Sequence, residues 1–428
     1  MSKLWRTWFL EERPSVSLAL FRIALAATVG LHVFPTLFQM RDNYLQGAFR
    51  EFNLSFFPIP ILRWVAGSSD AAVWAMAGVF SVGWLFFLIG LLTRWSGLLM
   101  AVGCYYFYAR NSLHIGTLSF DILLVTLVLA LVTDYPGDSF SVDGALRMDP
   151  EPWRRKRPFF VQRLLQLQIA ETYFEAGLGK CTAGGNWLSG NPYYYLMNNP
   201  PTGVMKHFPL RETLAGMPHL CHALGIALLA FEMTIPLWLF WRRTRPAAIV
   251  LAILFQTMLL FTMHVPTIFF FLFPPQALLF LDPEIVVGFI ERRRARNASR
   301  PQDRLLYDGG CSFCRGSVRS LGALDPTGRV ALVDFRELDL KGISPRLTRD
   351  ACMRRIQFVE RDGRLSEGFD AFRRLSLKLP LLRPLAPLLY IPGMRLVGVP
   401  AYDFIARHRF EIGAWRPDHD GSADGRGP

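Results

Sequence analysis

Cys311-Ser312-Phe313-Cys314 is the part of this chain whose residue types and spacing speak most directly of chemistry. Two cysteines separated by two residues close a disulfide when the first opens a helix, where partly unpaired N–H groups favour a thiolate and lower its pKa. On this reading Cys311 is the exposed attacking sulfur, and Cys314, one turn further in, resolves the mixed disulfide. The other common use of such a pair is half of a zinc site, which needs two more ligands. Beyond residue 303 the remaining Cys and His are Cys352, His408 and His419, and they form no second paired motif. A chemically idle pair is the third reading.

The surrounding segments predict how the pair is positioned. Arg304–Tyr307 reads as a short strand, Asp308–Gly309–Gly310 as a turn, and Arg315–Leu324 has helical spacing. Val330–Val333 reads as a second strand. Ile356–Glu360 and Gly363–Leu365 suit a hairpin around Asp362–Gly363, and Phe369–Leu379 reads as a helix. Strand, CxxC, helix and strand in that order predict a small thioredoxin-like α/β domain after residue 303. The polar residues 414–428 predict a disordered tail.

At these residues the chain resembles a known family. Tyr307-Asp308-Gly309-Gly310-Cys311-Ser312-Phe313-Cys314 is similar to the signature of the DCC-type thiol–disulfide oxidoreductases, and the resemblance continues through Gly368–Phe372, Pro380–Pro392 and Tyr402–Gly413. It covers about residues 303–413 and implies a thioredoxin-like fold with those bounds, Cys311 and Cys314 as the redox pair, and Asp308 as part of the motif. The partner it implies is a protein or small molecule bearing a thiol or disulfide.

The rest of the chain is of another kind. Over its 428 residues 51% are hydrophobic and 19% charged, against about 25% charged in a soluble domain. These proportions exclude a wholly soluble chain, a disordered one and a collagen, and six cysteines are too few for a secreted disulfide scaffold. Ala71–Leu92 carries no formal charge and is long enough to span a bilayer. Leu18–Phe38 is similar, with Arg22 near one end, where it is expected to snorkel to the headgroups. Trp95–Ala109, Thr117–Thr133, Phe159–Gly177, His219–Trp241, Pro246–Met263 and Thr267–Leu281 bring the expectation to about eight helices in a polytopic bundle over 1–290, with an uncleaved first helix. Arg292–Asp303 reads as a charged linker, over 291–302. Counted by alternate loops, 17 Lys and Arg fall on one side and 7 on the other. The richer set includes the N-terminus, the 147–157 loop and Arg292–Arg300, so both termini and the CxxC domain are expected in the cytoplasm. The net charge of +13 is then explained by membrane topology, with lipid and not nucleic acid as the partner.

Ionisable residues inside a membrane are candidates for function. Here they are Asp121, Glu171, Glu175, Lys180, Glu232 and His264. Glu171–Gly190 resembles the vitamin K-dependent γ-carboxylase-like (HTTM) transmembrane family, as do Asn111–His114, Ser141-Val142-Asp143-Gly144, Arg22 and His264-Val265-Pro266, over about 10–290. The resemblance implies that Lys180 is the base that deprotonates a hydroquinone, assisted by His114. No cofactor is demanded by the residues themselves, and a quinone is the candidate. Three functions follow: a membrane-anchored thiol–disulfide oxidoreductase coupled to quinone chemistry, a carboxylase- or epoxidase-like enzyme with Lys180 as base, and a non-enzymatic partner for peptide maturation or transport.

Overall fold

The computed structural model describes residues 3–48, 64–65, 67–111, 131–182, 187–188, 191–199, 208–262, 273–383 and 386–414. Within it the chain forms two units, one of Met1–Gly137 with Lys156–Pro283 and the other of Asp138–Arg155 with Glu284–Pro428.

The first unit is mostly helical. Asp70–Ile89 begins where the Ser69 hydroxyl accepts the Ala72 N–H and stops at Gly90, whose φ of 68° a residue with a side chain rarely adopts. Its 20 residues rise about 30 Å, the thickness of the hydrocarbon core. Thr93–Arg110 folds back along it, and the two backbones approach closely through small residues. A Cβ at Gly103 would lie 2.6 Å from the Phe80 Cβ, and one at Gly83 2.8 Å from the Leu99 Cβ. Among the described residues, Val16–Phe38, Asp70–Ile89 and Pro218–Phe240 are long and apolar enough to cross a membrane, and a broken helix pair raises the number to four. The further expected helices at 95–109, 159–177 and 246–263 are present as Thr93–Arg110, Phe160–Thr182 and Arg245–Thr262, but fall short of that length-and-hydropathy standard. Most of Thr117–Thr133, part of Thr267–Leu281, and Asp121, His114 and His264 lie outside the described residues.

Arg22 differs from its expected place. It is fully buried, and its Nη1 donates to the Pro136 carbonyl at 3.1 Å. A buried backbone carbonyl of the Tyr135–Gly137 turn meets the need that a headgroup was expected to meet. A two-stranded antiparallel ribbon pairs β1 (Glu12–Pro14) with β2 (Lys156–Pro158), Arg13 facing Arg157.

The second unit is built on a four-stranded sheet of β3 (Asp303–Tyr307), β4 (Val330–Asp334), β5 (Gln357–Val359) and β6 (Leu365–Glu367), in the order β4-β3-β5-β6. The β3–β4 pair is parallel and the other two are antiparallel. Alternation along the strands divides the core. Leu305 and Phe358 join Leu321, Ala371 and Leu375 on one face, while Leu306 and Val359 join Phe335, Leu340 and Cys352 on the other. The β5–β6 turn closes at Gly363, with φ of +82° and its N–H on the Glu360 carbonyl at 2.9 Å.

Buried Asp325 starts β4: its Oδ2 accepts the N–H groups of Arg329 at 2.6 Å and Val330 at 3.0 Å. Asp325→Ala removes the acceptor of both. It is expected to cost about 2 kcal/mol, read as a lower melting temperature of the detergent-purified chain. An unchanged melting temperature would show that water replaces the carboxylate.

Two features of this unit differ from the sequence reading. The charged segment expected as a linker over 291–302 is helical over most of its length, because Pro283–Ala298 is one helix. Arginine and alanine favour helix, and the break comes only before Pro301, which disfavours helical backbone at Arg300. The helix is also anchored, with the Arg294 guanidinium over the Trp153 ring at 4.9 Å and Asn297 donating to the Thr327 carbonyl at 2.8 Å. Second, Asp138–Arg155 folds with this unit although it lies in sequence among the membrane helices. Its helix Val142–Leu146 packs on the CxxC helix, and a Cβ at Gly316 would meet the Met148 sulfur at 3.0 Å. The tail beyond Ala414 lies outside the described residues.

Candidate active site

Cys311 caps the helix Ser312–Ala323, its Sγ accepting the Cys314 N–H at 3.3 Å. Both cysteines are free thiols. The Asp308–Gly310 turn that brings Cys311 here is tightly packed: a Cβ at Gly309 would lie 1.8 Å from an Asp334 carboxylate oxygen, and one at Gly310 2.5 Å from the Arg336 guanidinium carbon. A side chain at either position would push the Asp334 carboxylate or the Arg336 guanidinium off the turn. The pair is therefore positioned as the sequence predicts, with one correction. Cys311 is not the exposed sulfur. It is 1% exposed, while Cys314 is partly exposed and lines a cavity. The helix N-terminus does meet the first cysteine, but the packed turn keeps that cysteine from solvent. Burial pushes the Cys314 thiol up to about 12; the neighbouring Cys311 adds to the rise and Arg409 opposes it.

Asp308, the motif carboxylate, is 2% exposed. Its Oδ1 accepts Arg336 Nε at 2.8 Å and the Gly310 N–H at 3.0 Å. Its Oδ2 has no hydrogen-bond partner among the described residues and lies 3.8 Å from Arg409 Nη2. Arg409 comes from the helix Met394–Ala414, which packs on the CxxC helix. It is 8% exposed, donates from Nη2 to the Met353 carbonyl, and its Nε is unpartnered among the described residues. Tyr402, two turns earlier on the same face of that helix, accepts the Ile356 N–H at 2.9 Å, and burial raises its pKa. Asp308, Cys314, Tyr402 and Arg409 share one cavity of about 190 Å³, and apolar side chains including Phe313, Phe372 and Ile405 form most of its wall.

Lys180 lies apart, in the first unit. It stands near the end of Phe160–Thr182, and its Nζ donates to both carboxylate oxygens of Glu232, at 2.7 and 2.8 Å. A third bond goes to the Ala176 carbonyl at 3.3 Å, and the Trp187 ring lies 5.7 Å away. Gly177 lets the two helices close to this distance, since a Cβ there would sit 2.8 Å from the Met233 sulfur. Lys180 and Glu232, both singled out from sequence, are thus brought together, while His114 lies outside the described residues. Arg409 was missed. The available signal was a lone cation on an otherwise apolar helical stripe with Ile405 and Ala406.

A family model of the HTTM domain matches residues 11–284, and one of the DCC1-like thiol-disulfide oxidoreductase matches residues 305–415. No curated protein and no solved structure matches the chain. The apolar helices of the first unit and the cysteine pair on the sheet of the second are the features these two matches cover. The chain belongs to the HTTM domain family, and its residues 305–415 are similar to the DCC1-like thiol-disulfide oxidoreductases.

Proposed function

We propose that this chain is a membrane-anchored thiol–disulfide oxidoreductase of the protein-disulfide reductase type, with Cys311 and Cys314 as the redox pair. The observation that carries the reading is a free dithiol at a helix N-terminus whose second sulfur opens on a cavity. The sheet order, one parallel pair followed by an antiparallel hairpin, supports a thioredoxin-like assignment for the domain. Cys314 meets the partner and Cys311 resolves, the reverse of the order expected from sequence, because only Cys314 is accessible from the cavity. Asp308 fixes the turn before the pair through Arg336 and the Gly310 N–H.

In the membrane part the reading is a bundle of about eight helices with both termini cytoplasmic. Two contacts support the loop assignment behind it. Within the first unit β1 pairs with β2, and within the second Asp138–Arg155 folds with the C-terminal residues, each joining segments that the charge count gives to the same side. Lys180 serves structure in this reading. Its amine is engaged by a carboxylate at two points and is not presented as a free base. A quinone remains the proposed second electron partner of the membrane part.

The test is a trap. Cys311→Ser is expected to accumulate mixed disulfides on Cys314 in native membranes, Cys314→Ser to accumulate none on Cys311, and both to lose turnover. Adducts found only with Cys314→Ser would restore the order expected from sequence. Full turnover in both variants would end the oxidoreductase reading.

A further inference from the structure

The cavity beside Cys314 specifies the kind of group that reaches the sulfur. Phe313, Ile356, Phe372 and Ile405 wall it, and its volume of about 190 Å³ exceeds the roughly 150 Å³ of an apolar cavity that admits benzene. There is room for one six-membered ring with a substituent. Against this apolar wall stands Arg409, more than nine-tenths buried, with Nε lacking a hydrogen-bond partner among the described residues. Asp308 does not satisfy it: that carboxylate spends Oδ1 on Arg336 and the Gly310 N–H, and its Oδ2 stays 3.8 Å from Arg409 Nη2 without a hydrogen bond. Within the cavity lining, Asp308 is thus committed to Arg336 outside it, and Arg409 keeps an Nε–H with no partner among the described residues. A guanidinium in apolar surroundings is matched by a carboxylate.

We infer that the cavity is a specificity subsite for a ring-sized apolar group that bears a carboxylate and is attached to the substrate's reacting sulfur. This rests on the dithiol reading above and names its substrate class. With a disulfide RS–SR as oxidant, the Cys314 thiolate attacks one sulfur; the Cys314–SR bond forms, the S–S bond breaks, and RS⁻ leaves and takes up the proton that Cys314 lost. Cys311, giving up its proton, then attacks the Cys314 sulfur, displacing the second RS⁻, which takes that proton. Two protein thiols are oxidised to one disulfide and RS–SR is reduced to two RSH. The apolar wall holds R, and Arg409 Nε donates to its carboxylate.

The test compares three disulfides on the full-length reduced chain in detergent, each rate divided by that of the same reagent with a free small thiol. A dithiobis(nitrobenzoate) carries ring and carboxylate, a dithiodipyridine the ring alone, and bis(hydroxyethyl) disulfide neither. The first is expected to exceed the second by about tenfold, the size of one hydrogen bond to a charged group. In Arg409→Gln that ratio should fall close to one, with Arg409→Lys in between. Ile405→Trp, which fills the cavity from its rim, should slow both aromatic reagents more than the hydroxyethyl one. A wild-type ratio near one, a ratio unmoved in Arg409→Gln, or equal slowing of all three reagents in Ile405→Trp overturns the subsite. Failure of every disulfide, bis(hydroxyethyl) included, to oxidise the wild-type pair is a different result, and overturns the dithiol reading beneath it.

Discussion

Glu232→Ala is expected to lower the stability of the detergent-purified chain by about 3 kcal/mol, the cost of leaving one member of a buried ion pair alone. The Glu232 side chain is 8% exposed and that of Lys180 25%, so water reaches neither freely. Without the carboxylate the ammonium keeps, among the described residues, the Ala176 carbonyl and the Trp187 ring, which places the loss at the lower end for such pairs. Lys180→Met combined with Glu232→Leu should recover most of it, because two apolar groups of similar size need no partner. Lys180→Arg should lose little, since a guanidinium can also bridge both oxygens. Thermal unfolding followed by near-ultraviolet dichroism reads all four proteins. If Glu232→Ala melts with the wild type, the pair does not form in solution and Lys180 is again a candidate base.

Alkylation of Cys314 is expected to speed up about tenfold for each pH unit between 7 and 9, roughly a hundredfold in all. The thiolate is the nucleophile. A thiol held up at about 12 is almost wholly protonated throughout this range, so its reactive fraction climbs with hydroxide and shows no plateau. The sign is that of a raised pKa: less thiolate at neutral pH than an ordinary cysteine, with the deficit made up only as pH approaches 12. Quantifying the Cys314 peptide by mass spectrometry after timed alkylation measures this. A plateau between pH 8 and 9, at the ordinary cysteine value of about 8.5, would show that Arg409 outweighs burial.

The local grammar of the redox domain was legible in the sequence. Strand, Gly-Gly turn and helix around Cys311, the strand at Val330, and the hairpin at Gly363 all depend on neighbours within a few residues. What escaped depends on contacts distant in sequence. The burial of Cys311 accompanies Asp334 and Arg336 packing on its turn, the place of Arg409 in the cavity requires the last helix to dock on the CxxC helix, and the partner of Lys180 lies 52 residues away. The helix through Arg292–Arg296 was hidden for another reason. A run of arginines has a linker's charge but good helix propensity, and composition alone weighs only the charge. In the first unit hydropathy pointed to the three described helices long and apolar enough to cross a membrane, but it carries no information on side-chain partners, so the Pro136 carbonyl that buried Arg22 reaches was not foreseen.

Because Asp138–Arg155 folds with Glu284–Pro428, the redox unit is assembled from two separated stretches of chain, with about 130 residues between them. On the ribosome the first stretch waits for the second. At about 5–20 residues per second the interval is roughly 6–26 s, during which Trp153 has no Arg294 to stack on and Met148 no Gly316 to meet. The intervening membrane helices are made in that interval, so completion of the bundle precedes completion of the redox unit. A gene fragment starting at residue 303 would omit the first stretch altogether, and its product would leave bare the surface of the CxxC helix on which Val142–Leu146 packs.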